Sequence, residues 1–137
     1  MYATIIAVEY FNTTVKDKPG SAYQLLCDLF SDKVNLLAFS VTPCGPEFAQ
    51  VVLFPENTER LIAAASKRDL HLVGPQRAFL IQGDDQLGAL VEIHKKLYDA
   101  EINIYTSSGV TDGRGGYGYT LYVKPDDFQR AAKVLGV

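Results

Sequence analysis

Two glycine-bearing loops and two asparagines are the residues of this chain best suited to hold a small ligand, and each recurs at a distance of 68 positions. The first set reads Asp17-Lys18-Pro19-Gly20-Ser21-Ala22 with Val34-Asn35-Leu36; the second reads Asp85-Gln86-Leu87-Gly88-Ala89-Leu90 with Ile102-Asn103-Ile104. A glycine where a strand hands over to a helix lets the main chain approach a ligand, and the first N–H groups of the helix point outward without partners. Such a helix start accepts a carboxylate. The asparagines follow the helical runs, in strand starts expected to pass beside the same loops, and each amide offers both a donor and an acceptor. Together they could hold a zwitterion. The same residues also suit a turn, a helix cap at Asp85 and a plain connection with no ligand at all. Residue chemistry leaves both readings open.

Other chemistries find little support. Cys27 in a helical run and Cys44 in a turn match neither a metal pattern nor a redox pair, and His71 and His94 are too few and isolated for a metal site. No nucleophile stands near a base, so no catalytic residue, metal or cofactor is expected and the chain reads as a non-enzyme. Gly113-Arg114-Gly115-Gly116-Tyr117-Gly118 satisfies the letters of a dinucleotide fingerprint but leads into a strand instead of a helix, which makes it a hairpin loop. The stretch from Gly116 to Tyr122 resembles the aromatic strand of an RNA-recognition motif, with 78–81 as its companion and Phe79, Tyr117 and Tyr119 as a stacking platform. Against that alternative, Gly115 stands where the motif wants Lys or Arg, and a net charge of −3 offers little to neutralise phosphates. A nucleic-acid partner is therefore disfavoured.

The loops need elements to hold them. With 137 residues, 47% of them hydrophobic and 21% charged, the chain has the composition of a globular protein. Its N-terminal apolar run, Ala3 to Val8, is too short to span a membrane and carries no signal-peptide pattern, so a cytoplasmic location is expected. Residues 2 to 15 are β-branched and aromatic, hence strand; Ala22, Leu25, Leu26, Leu29 and Phe30 follow at helical spacing. Val34–Val41 and Phe48–Phe54 form a hairpin around Pro43-Cys44-Gly45-Pro46, a helix starts after Pro55 with Asn57 or Thr58 as cap, and Leu70–Val73 closes the unit as a short strand.

The second unit starts over with a strand at Arg77–Gln82, a helix at Leu87–Tyr98, a hairpin of Ile102–Val110 with Tyr117–Val123, and a last helix opened by Pro125. Pro125 lies 70 positions after Pro55, so the second hairpin loop is expected to have gained two residues. The expected fold is α+β: two ferredoxin-like βαββαβ units in tandem, at 1–73 and 74–137, the second lacking its own last strand. Residues 2 to 8, of this chain or a partner, are expected to complete that second sheet, because an unpaired edge is a liability. Units of this size are marginal alone, so pairing as a homodimer is expected too.

The repeated pattern resembles the ACT domain, a small regulatory module with an Asp or Asn before a Pro-Gly or Leu-Gly pair, a helix, and then Val-Asn-Ile or its like. Asp17, Pro19 and Gly20 with Val34-Asn35-Leu36, and Asp85, Leu87 and Gly88 with Ile102-Asn103-Ile104, carry the likeness over nearly the whole chain. It implies ACT-like units that pair side by side and bind small ligands, commonly amino acids, at their seam. The ligand-binding residues it implies are Asp17, Gly20 and Asn35 for one half-site and Asp85, Leu87, Gly88, Ala89 and Asn103 for the other. Lys18 departs from the pattern. The likeness further implies allosteric control of an enzyme supplied in trans.

Overall fold

The computed structural model describes residues 3–137; Met1 and Tyr2 lie outside the described residues, and with them the Tyr2 end of the expected N-terminal strand. In chain order the elements are β1 (Ala3–Lys16), α1 (Ser21–Ser31), β2 (Leu36–Cys44), β3 (Phe48–Pro55), α2 (Thr58–Lys67), β4 (Val73–Asp84), α3 (Val91–Asp99), β5 (Thr106–Thr111), β6 (Gly116–Tyr122), a 3-10 turn (Pro125–Asp127) and α4 (Phe128–Leu135). They fall into two compact units, Glu9–Gln76 and a discontinuous one made of residues 3–8 with Arg77–Val137.

In the unit Glu9–Gln76 the strand order is β2-β3-β1-β4, with β3 antiparallel to both β2 and β1. Every second residue of the central strands points to the helices: Phe11 pairs with Leu53, Thr13 with Val51, and all four are buried. Leu25 and Leu29 of α1 and Leu61 and Ala64 of α2 close the core over them. Thr13 is the polar exception, and its hydroxyl donates to the His71 carbonyl at 2.7 Å. The start of α2 is capped by the Asn57 side chain, which accepts from the Arg60 N–H at 3.1 Å.

In the second unit the order is β1-β4-β6-β5, and the first of these strands is supplied by residues 3–8, whose Ala3 and Ile5 pack against the core. That segment takes the place of the missing last strand. Phe79, Ile93, Leu97, Ile102, Tyr119 and Leu121 make the core, each 68 positions after its counterpart among Phe11, Leu25, Leu29, Val34, Val51 and Leu53. Phe79 stacks on Phe128 at 4.6 Å, and the Arg77 guanidinium lies 4.1 Å from the same Phe128 ring. The chain is thus α+β, a tandem of two ferredoxin-like units.

Three local expectations need correction. The short strand expected at Leu70–Val73 does not form: 70–72 are irregular, and Val73 begins β4, which runs on through the strand expected at Arg77–Gln82. Helix α3 begins at Val91 instead of Leu87, because Gly88 takes a left-handed conformation (φ 74°) that a helix cannot contain. The hairpin loops are equally long: Cys44 pairs with Phe48 across one, and the Asp112 N–H donates to the Gly116 carbonyl across the other. The two extra residues instead form part of the 3-10 turn after β6. Leu53 and Leu121 are 68 positions apart, whereas Leu61 and Ala131, beyond the turn, are 70 apart.

Candidate functional site

Both glycine loops occupy the same place in their units. Lys16 pairs with Phe48 and Asp84 with Gly116 at the last rung of each sheet. The next amides, of Asp17 and Asp85, donate to the carbonyls of Glu47 and Gly115, both at 2.8 Å. Gly20 (φ 93°) and Gly88 (φ 74°) then turn the chain in the left-handed region that favours glycine. From here the loops differ. Gly20 leads straight into α1, while Gly88 opens a further turn in which the Ala89 N–H donates to the Gln86 carbonyl and the Val91 N–H to the Gly88 carbonyl, both at 3.0 Å. Neither helix has a side-chain cap. Asp85 therefore does not cap α3, and the first amides of that helix are left to other partners.

The asparagines lie elsewhere. Asn35 precedes β2, whose first residue, Leu36, pairs with Pro55, while the loop at Asp17 adjoins the Cys44–Phe48 end of the same sheet. Asn103 likewise precedes β5, whose Thr106 pairs with Tyr122, while the loop at Asp85 adjoins the Thr111–Tyr117 end. At about 3.3 Å per residue, the six residues of β5 separate Asn103 from the loop by roughly 17 Å or more, and the nine of β2 separate Asn35 from its loop further still. The expectation that each asparagine passes beside the loop of its own unit is overturned. Strand direction is the reason, for a strand that follows a crossover helix starts at the opposite edge of the sheet. Both asparagines are exposed, as are Asp17, Gly20, Asp85, Leu87 and Gly88, whereas Ala89 is buried.

The second loop borders a cleft of about 460 Å³ lined by Asp85, Gln86, Gly88, Ala89, Leu90, Val91, Gly109, Val110, Thr111, Tyr117 and Gly118. Asp85 makes no ion pair in the described residues. Gly109 faces Tyr119 across the β5–β6 pair, and a Cβ there would stand 2.9 Å from the Tyr119 ring and 3.3 Å from the Gly118 carbonyl oxygen. Tyr117 lies opposite Gly83, which has no side chain, and its hydroxyl is buried without a hydrogen-bond partner. Burial, with the Asp84 charge as a second cause, pushes the Tyr117 phenol up from its ordinary pKa. The sequence singled out Asp85, Gly88 and Ala89 but missed this use of Gly109, Val110, Thr111 and Tyr117. A signal existed: at the 68-residue offset, Gly109 and Tyr117 replace Val41 and Ala49 of the first unit.

The stacking platform of the RNA alternative does not exist. Phe79 and Tyr119 are buried beneath the helices, and the Tyr119 hydroxyl and His94 Nε2 are hydrogen-bonded at 2.7 Å. The glycine-rich segment 113–115 is a hairpin loop in which Asp112 accepts from the Arg114 and Gly116 amides at 2.7 and 3.0 Å, donors that hold its carboxyl below the usual range. Among the described residues, no group of three or more His, Cys, Asp or Glu is placed to hold a metal ion, and no helix is long and apolar enough to cross a membrane.

No family model matches the chain. No curated protein matches it either. Solved structures do. Protein BT0572 from Bacteroides thetaiotaomicron superposes with a TM-score of 0.82 at 12% identity, covering 96% of this chain and 88% of that one. The ligand-free regulatory subunit of aspartate kinase from Thermus thermophilus gives 0.66 at 10% identity, over 98% and 94% of the two chains. A structure of aspartokinase alpha and beta subunits gives 0.63 at 16%, over 98% and 95%. The chain shares the fold of these structures, an ACT-domain fold.

Proposed function

We propose that this chain is a non-catalytic regulatory protein that binds an amino acid in the cleft beside Asp85 and Gly88, pairs with a second copy of itself, and acts on a cytoplasmic enzyme in trans. The observation that carries it is the cleft itself. It is lined by a lone carboxylate, a left-handed glycine turn ahead of a helix, and Tyr117, whose buried hydroxyl has no hydrogen-bond partner. Asp85 takes the ammonium of the zwitterion, and the amides at the start of α3 take its carboxylate. Such sites commonly combine an apolar lining with a few placed polar groups. The likeness to a regulatory subunit of aspartate kinase supports regulation over chemistry.

Pairing gives Asn103 a role that its own unit denies it. All six residues of the edge strand β5 are exposed. Antiparallel pairing of two such edges reverses one strand against the other, which brings the start of the second copy's β5 toward the Asp85 end of the first. Asn103 of the second copy would then close the cleft. A ligand gripped more tightly by the pair shifts the monomer–dimer equilibrium, and that shift is the signal passed to the partner.

A thermal-shift screen against the twenty amino acids tests the proposal. A ligand at 100 times its Kd adds about 2.7 kcal/mol to native stability. The same ligand should raise the dimer fraction seen by light scattering, and Asn103→Ala should weaken both effects. A screen in which no amino acid raises the melting temperature would remove the reading.

A further inference from the structure

On the basis of the amino-acid site proposed above, we infer that its ligand is an α-amino acid with an uncharged, aliphatic side chain. Apart from the phenol of Tyr117, Asp85 is the ionisable group in the lining, and the ligand's ammonium consumes it. The remainder is Ala89, Leu90, Val91 and Val110 with the uncharged Gln86 and Thr111, around three glycines. Val91 and Val110 are 66% and 74% exposed, so covering them with an aliphatic side chain removes apolar surface from water on both partners. No Lys or Arg lines the cleft to meet a ligand carboxylate at the side-chain end, and no second carboxylate is present to meet a side-chain ammonium. A charged side chain would lose its hydration there without a counter-charge.

At two positions of the lining this repeat carries glycine where the other carries a side chain. Gly109 and Gly118 stand 68 positions after Val41 and Gln50. A valine at Gly109 would bring its Cβ within 2.9 Å of the Tyr119 ring. Tyr119 has little room to retreat, being buried and hydrogen-bonded to His94. The first unit has neither these two glycines nor a counterpart of the Tyr117 phenol, and binding is expected at one site per chain.

Isothermal titration of the full chain with L-leucine, L-isoleucine, L-valine, L-threonine, L-lysine and L-aspartate tests the inference. Support is at least tenfold tighter binding of one of the first three than of lysine or aspartate, at one ligand per chain, with that preference lost in Val110→Asp. Val110 is at an exposed edge, so this variant keeps the core intact; Gly109→Val is the second variant and should abolish binding. Lysine or aspartate bound as tightly as leucine would overturn the aliphatic class while leaving the amino-acid site standing. Absence of binding by every amino acid would overturn both.

Discussion

Replacing Tyr117 with phenylalanine should make the ligand-free protein more stable and, at the same time, less responsive to ligand. The phenolic hydroxyl is buried with no hydrogen-bond partner, although the ring packs partly against the core of its unit. Leaving such a group unsatisfied costs about 1–3 kcal/mol, and a phenylalanine of the same shape removes that cost without opening a cavity. Taking the low end, a gain of about 1 kcal/mol should raise the melting temperature by roughly 3–5 °C for a chain of this size. A second reading comes from alkali. The Tyr117 pKa is raised above the ordinary 10.0, so its titration leaves stability unchanged below that value, and the fold loses stability as pH rises from there through the higher pKa of the folded state. The wild type should therefore lose stability above pH 10 more steeply than Tyr117→Phe, with every other tyrosine and lysine common to both. Differential scanning calorimetry between pH 7 and 11, with and without ligand, reads both effects. A variant that is less stable than wild type at pH 7, or that keeps the full ligand-induced shift, would refute the account of this hydroxyl.

Three further outcomes follow from the packing. Asn57→Ala removes the side chain that accepts the Arg60 N–H and should cost about 1 kcal/mol in a urea titration. Leu97→Ala empties a fully buried place under β4 and β6 and should cost about 2–5 kcal/mol by the same measurement. The Arg68 guanidinium, 2.6 Å from Asp32, with Lys67 at 3.2 Å, lowers the Asp32 pKa from 3.8 to about 2. The stability this confers is present above the unfolded-state pKa and lost as pH falls toward about 2, so Asp32→Asn should flatten the acid limb of the stability curve in that window.

Most of the fold was legible because duplication doubles the signal. One helix with leucines at steps of four is ambiguous, but Leu25 and Leu29 recurring as Ile93 and Leu97, between a repeated Phe and a repeated β-branched residue, fixes a common core. The lack of a last strand in the second unit likewise pointed to residues 2 to 8, and residues 3–8 do serve that unit. The placement of the two added residues was misread because Pro55 and Pro125 were compared directly, without the strand register that shows where the offset changes from 68 to 70. The site was harder. Asp85, Gly88 and Ala89 could be named because local chain geometry demands them, whereas Tyr117 and Thr111 reach the cleft through strand pairing, which a linear pattern does not display.

The differences between the copies locate function better than their likeness does. Positions that agree, such as Phe11 with Phe79 or Leu53 with Leu121, are explained by packing alone. Gly20 and Gly88 agree as well, and a left-handed turn suffices to explain them. Where the copies part, packing explains one change and not the other: Gly109 leaves room for the Tyr119 ring, which replaces Val51 of the first unit, whereas Tyr117 replaces Ala49 and leaves a buried hydroxyl unsatisfied. The Tyr117 change costs stability, lies on the cleft and polarises the space beside Asp85. A sequence that keeps such a local loss, when its other copy shows the cheaper solution, has a use for that place in binding.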